Sequence, residues 1–453
     1  MSEFDEQRVR EDVQQRFTVL RNARIVTMNE EDAVIDGDIL IENDRIRGVG
    51  RFETSFRHEV DLEDRIVCPG FIQTHVHLGQ TLFRGLADDL DLLSWLRERV
   101  WPLEAAHTPK SLYAAALLGA MELMASGTTT VLTMETVRHT DVVFEAVAAA
   151  GLRATVGKCL MDDGEGIPAA LREKTGPAMK ACARLYDAWH GAAAGRLRLA
   201  LAPRFALGCS PKLMAAAGEF CAEKNIPLHS HAAENQREVA AVFRRTGKKN
   251  VAYFKDLHVP GHLLYLAHCI WLDEDELKIL ADEGMHVLHC PSSNLKLGSG
   301  IAMVPEMLSR GISVSLGADG APCNNNLDIF TEMRLAALIQ KIRRGPAALD
   351  ARRILRLATS EAATALGLAA DIGSIVPGKK ADLVVLERQP LHATPCPDVM
   401  AALVYAYQAR DVRSVMVDGR FVYHRGEFTD LDAADAKVRA ESEAAKLLQR
   451  AGF

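Results

Sequence analysis

The sequence predicts an α/β fold, a (β/α)8 TIM barrel with a small β-rich accessory domain formed by the N- and C-terminal segments. Three observations predict it. Eight β-rich apolar runs recur along the middle of the 453-residue chain. Ala- and Leu-rich amphipathic stretches separate them, the alternation expected of parallel strands joined by crossover helices. Short alternating strands flank this region at both ends, so residues 1–68 and 368–453 are assigned to the accessory domain and residues 69–367 to a catalytic barrel.

Taken in order, a polar leader precedes alternating apolar runs at Phe17–Met28, Asp38–Ile41 and Arg45–Val49, with Asn43-Asp44 as the turn signal between the last two. The barrel runs lie near Ile66–His77, Thr128–Glu135, Arg153–Leu160, Leu197–Phe205, Pro227–Glu234, His262–Cys269, Met285–Ser293 and Ser313–Gly320. Leu112–Ser126 and Pro211–Lys224, between runs, carry apolar residues at helical spacing. A helix near Ala351–Leu366 closes the barrel, and Gly373–Leu386 returns to strand character. Val412–Val417 and Arg420–Tyr423 flank Asp418-Gly419, a tight hairpin turn, and a charged Ala-rich helix spans Leu431–Gln449.

Bulk composition narrows the function classes. A hydrophobic fraction of 48%, a charged fraction of 25% and a net charge of -7 describe an ordinary globular chain without the basic footprint of a nucleic-acid binder. Nine Cys without repeated spacing suit reduced thiols in the cytoplasm. The charged start of the chain does not resemble a signal peptide, and no apolar run is long enough for a membrane span. The expected partner is a small molecule, with neither nucleic acid nor membrane, and the chain is expected to be a homo-oligomer.

The chemistry is concentrated at the ends of the runs, where this fold keeps its catalytic groups. His75-Val76-His77 ends the first, and side chains two apart on a strand share a face. His231 and Glu234 end the fifth, His268 the sixth and Asp319 the eighth, while His289 lies in the seventh. A lone pair of histidines is equally a hydrogen-bonded surface pair, but polar residues at so many strand ends point to one divalent metal ion. Four N/O ligands suit zinc first and iron second.

The order Pro69-Gly70-Phe71-Ile72-Gln73-Thr74-His75-Val76-His77, His231-x-x-Glu234, His268, His289-Cys290-Pro291-Ser292-Ser293-Asn294 and Gly317-Ala318-Asp319 resembles the amidohydrolase superfamily, in its purine deaminase branch. The C-terminal Pro377-Gly378-Lys379-x-Ala381-Asp382-Leu383 extends the resemblance over nearly the whole chain. It implies that His75, His77, His231 and Asp319 bind the metal. It also implies that Glu234, His268 and Asp319 are catalytic, moving protons and orienting water. His229, on the same strand face as His231, is read as packed or hydrogen-bonded behind the site, and His289 as structural. Binuclear relatives carry a Lys at the end of the fourth strand; here Ala202-Pro203-Arg204-Phe205 offers none, which implies one ion.

For the substrate, two likenesses compete. Pro203-Arg204-Phe205 and Gln80 are similar to guanine deaminases, where the matching Arg and Gln read the purine; an Arg fork suits a carbonyl acceptor. Thr81–Leu90, Trp95-Leu96 and Asp319–Asn326 resemble adenosylhomocysteine, methylthioadenosine and deoxyadenosine deaminases. The candidate substrate-binding residues are therefore Gln80, Trp95, Arg204 and Phe205. The sequence ranks a guanine-type base first and an adenosine-type nucleoside second. Triazine or pterin aminohydrolases and chlorohydrolases come next, with a non-catalytic barrel scaffold as the competing class.

Overall fold

The computed structural model describes residues 16–453; the polar leader, residues 1–15, lies outside the described residues. Eight parallel strands run in sequence order around one sheet: Phe71–His77, Thr128–Thr133, Arg153–Leu160, Leu197–Pro203, Leu228–Ala232, Leu264–His268, His286–His289 and Ser313–Leu316. The short strand Asp319–Gly320 then returns to pair with Val76 and His77, so the last strand end lies beside the first. This is the (β/α)8 barrel that the alternation predicts.

The second sheet draws strands from both ends of the chain. Phe17–Val26, Val34–Glu42, Arg45–Gly50, His58–Asp61 and Arg65–Pro69 join Leu383–Glu387, Val412–Val417, Arg420–His424 and Glu427–Phe428. A buried ion pair ties it to the barrel: Arg153 Nε lies 3.0 Å from Asp382 Oδ2, and Arg153 also meets Asp418 in the hairpin turn. The Asp of the C-terminal motif thus has a packing role. Cutting one member of such a pair would leave the other as an uncompensated buried charge.

Three elements differ from the sequence reading. The run Ile66–His77 is two strands, because Arg65–Pro69 pairs with Leu383–Glu387 and only Phe71–His77 enters the barrel. The break falls at Gly70, whose N–H donates to Asp382 O and where a Cβ would lie 2.0 Å from Thr129 Oγ1. The helix expected over Ala351–Leu366 is broken into Ala351–Leu357 and Ser360–Ala365, since Ala358 O accepts the Ile72 N–H at 2.9 Å. Ala362, Ala363 and Leu366 then pack against Ile72, Leu132 and Leu288 in one buried cluster. Finally, Gly373–Leu386 is strand only from Leu383 onward.

The C-terminal helix Ala433–Ala451 lies against Pro109–Ala125, and Arg450 Nε donates to Ala106 O. All nine cysteines are unpaired, eight of them buried. Among the described residues, no helix is long and apolar enough to cross a membrane.

Candidate metal centre and active site

The barrel brings His75, His77, His231 and Asp319 to one point, with one potential ligand atom from each lying within 4.8 Å of the others. Hydrogen bonds behind the histidines decide which nitrogen faces that point. A backbone carbonyl only accepts, so His77 donates Nδ1–H to Met134 O and His231 donates Nδ1–H to Arg204 O, both at 2.7 Å. His229 likewise donates Nδ1–H to Thr133 O, which leaves its Nε2 to accept from His75 Nδ1–H at 2.7 Å. The Nε2 lone pairs of His75, His77 and His231 therefore face the same point as the Asp319 carboxylate.

That arrangement is repulsive by itself. His75 Nε2 is buried and makes no hydrogen bond, yet it lies 3.3 Å from Asp319 Oδ1, and His77 Nε2 lies 3.2 Å from the same oxygen. Lone pairs facing a carboxylate in a dry pocket call for a cation between them, and three imidazoles with one carboxylate are the donor set of a divalent ion. Burial pushes the His75 imidazole down to about 4 and His231 well below its usual value, so both stand as the neutral form that a metal requires.

Glu234 and His268 stand next to this point. His268 Nε2 is 3.5 Å from Glu234 Oε2 and 3.9 Å from Asp319 Oδ2. Its Nδ1 lies 2.8 Å from Asn294 Oδ1, which holds the ring with its Nε2 toward the site. Burial pushes Glu234 up to about 7, with the Asp319 charge adding to it and His268 and Arg204 opposing. A carboxyl that keeps its proton near neutrality is equipped to donate it. Asp319 and His268 both hold left-handed backbone, at φ 62° and 71°, a conformation costly for non-glycine residues and often stored at functional sites.

The cavity over these groups is lined by His77, Trp95, Arg204, Phe205, His231, Glu234, Glu238, His268 and Asp319, with Leu92, Leu96 and Leu297 as its apolar wall. Trp95 and Phe205 thus lie where a planar ring would pack, and Trp95 keeps a buried Nε1–H without a partner. Arg204 and Gln80 both meet Glu104: Arg204 Nη1 lies 2.6 Å from Glu104 Oε2, and Gln80 Nε2 donates to Glu104 Oε1 at 2.8 Å. The free Arg fork on which the guanine-type ranking rests is therefore an ion pair, in which both partners are buried.

Sequence reasoning missed Glu104, Glu238 and the role of Asn294. The signals were slight: a lone acid in the apolar stretch Trp101-Pro102-Leu103-Glu104, and an Asn inside a motif read as a loop. His289 is buried as expected, but neither ring nitrogen finds a hydrogen bond. Arg204→Ala would strand Glu104 as an unpaired buried carboxylate, and a loss of about 3–5 kcal/mol is expected in urea unfolding. Unchanged stability would show that the pair does not carry that burial.

The model of the amidohydrolase family matches residues 66–422. A 5'-deoxyadenosine deaminase from Methanosarcina mazei is 37% identical over 435 residues, covering 95% of this chain and 98% of the relative. A 5-methylthioadenosine/S-adenosylhomocysteine deaminase from Syntrophomonas wolfei is 36% identical, covering 95% and 99%. Among solved structures, an adenosine deaminase from Xanthomonas campestris with bound zinc superposes with a TM-score of 0.89 at 29% identity, covering 95% of this chain and 98% of that one. With barrel, strand-end histidines and whole-length relatives in agreement, this chain belongs to the amidohydrolase family.

Proposed function

We propose that this amidohydrolase is a hydrolytic deaminase of adenosine-type nucleosides, with 5'-deoxyadenosine and 5'-thio-substituted adenosines as the leading substrates. The observation that carries this reading is the Arg204–Glu104 pair, which occupies part of the fork that would otherwise meet a guanine carbonyl. The 5'-deoxyadenosine and 5-methylthioadenosine/S-adenosylhomocysteine deaminases similar to the chain favour the same choice. It reverses the order in which the sequence ranks guanine and adenosine types.

Zinc is the proposed ion, held by His75, His77, His231 and Asp319. When bound, a divalent cation there supplies hydroxide from water near neutral pH. The protein's own residues do the rest. Glu234 gives its proton to the ring nitrogen next to the carbon bearing the amino group. His268 Nε2 orients the attacking water, and Asp319 accepts a proton from it. The proton held by Asp319 then passes to the departing amine, which leaves as ammonia, while the hydroxyl proton of the adduct returns to Glu234 as the 6-oxo group forms, so that one water is added and one ammonia is lost.

A second space lies behind Phe205, a cleft of about 600 Å³ floored by Leu93, Trp101, Ile167 and Leu207 and rimmed by Arg97, Arg237 and Arg244. Phe205 lines both spaces, and we assign this cleft to a 5' substituent, which a free base lacks. Ammonia release should therefore be at least roughly a hundredfold more efficient, in kcat/KM, for 5'-deoxyadenosine or methylthioadenosine than for guanine, because groups the site cannot pair are strongly rejected. Guanine turnover matching that of the nucleosides would sink the reading.

A further inference from the structure

Two loops meet behind the site, and one buried acid holds both. The helix Ile329–Arg344 carries Glu332, which is 0% exposed. Its Oε2 accepts the Ser292 N–H at 3.1 Å and its Oε1 accepts Asn324 Nδ2 at 2.8 Å; Ser292 Oγ adds a further donor. Ser292 lies in the first turn of the short helix Pro291–Lys296, from which Asn294 takes the Nδ1–H of His268. Asn324 closes the helix Ala321–Asn324, and its Nδ2 also donates to Ala318 O, next to Asp319. Since that carbonyl can only accept, the orientation of the Asn324 amide is fixed.

We propose that Glu332 is a positioning residue for the reaction, tying the loop that orients His268 to the loop that presents Asp319. Both of those residues hold left-handed backbone, which relaxes unless the surroundings impose it. Among the described residues no basic side chain pairs with Glu332, so its burial is costly and is compensated only by the donors from the two loops. Burial pushes Glu332 up to about 7, against hydrogen bonds from Ser292 and Asn324 that favour the anion.

The donors make the obvious variant informative. The Ser292 N–H and the Asn324 amide each donate to a different oxygen, and neither can reverse. Glu332→Gln offers one oxygen and one N–H, so in either amide orientation one of these two donors loses its acceptor while volume is kept. The inference rests on the reading of His268 and Asp319 given above.

The experiment compares Glu332→Gln, Asn294→Ala and the double variant, each normalised to bound metal. If Glu332 acts through Asn294, kcat falls at least roughly tenfold in Glu332→Gln with KM nearly unchanged, a modest part of what a 1 Å misplacement costs. The double variant is then little slower than Asn294→Ala alone. A merely structural role would lower Tm, leave kcat per bound metal within about twofold of the parent, and give independent effects; that result overturns the proposal. A parent protein inactive on every adenosine-type nucleoside would refute the proposed function instead. The variants are then judged by metal release to a chelator, where Glu332→Gln should lose the ion roughly tenfold faster and an unchanged rate overturns the proposal.

Discussion

Replacing His75 with Ala should strip the protein of both metal and activity. His75 Nε2 is the buried atom with no other use, and its loss removes one of four converging donors. Removing a partner that merely supports a metal ligand already costs about 10–100-fold in affinity, and removing a ligand should cost more. His229→Ala supplies that comparison, because His229 touches the site only through His75 Nδ1. The expected order in metal content after dialysis is parent, then His229→Ala, then His75→Ala with essentially none. A second tightly held ion per chain in the parent would contradict the single centre, as would full metal retention by His75→Ala.

Glu234→Gln should separate chemistry from metal binding. Glu234 is buried and lines the cavity beside His268, and it is not one of the four converging residues. Gln keeps the shape but has no proton to transfer, so kcat should fall at least roughly a hundredfold, at the low end of what general acid–base catalysis contributes. Metal content should stay near that of the parent. An unchanged kcat would falsify the proton-transfer role, and loss of metal would recast Glu234 as a support for the ion.

Period and position made the barrel legible. A strand repeats every second residue, so His75 and His77 declare a shared face without any knowledge of the rest of the chain. The strand-end positions of His231, His268 and Asp319 follow once eight runs are counted. What stayed hidden depends on partners distant in sequence. Glu104 meets Arg204 across 100 positions, and nothing local marks either as half of a pair. Arg204 alone reads as a free fork, and that reading is why the sequence ranks a guanine-type base first. The strand break at Gly70 is equally non-local, since it depends on the approach of Thr129 and Asp382. Asn294 was visible, but its meaning lies in the His268 ring that it faces.

The burial of the histidines has a consequence for acid resistance. An ordinary imidazole site loses its cation in mild acid, because protons compete for the same nitrogens as pH falls through about 6.5. Here burial holds His75 neutral down to about 4 and His231 lower than usual as well. Proton competition at those two nitrogens therefore begins only far below the usual range. Chelator competition run from about pH 7.5 down to about 5.5 should show a shallower fall in affinity than a site of exposed histidines, since His75 and His231 take up no proton there. A fall as steep as that of exposed histidines would mean that the pocket admits enough water to charge the rings.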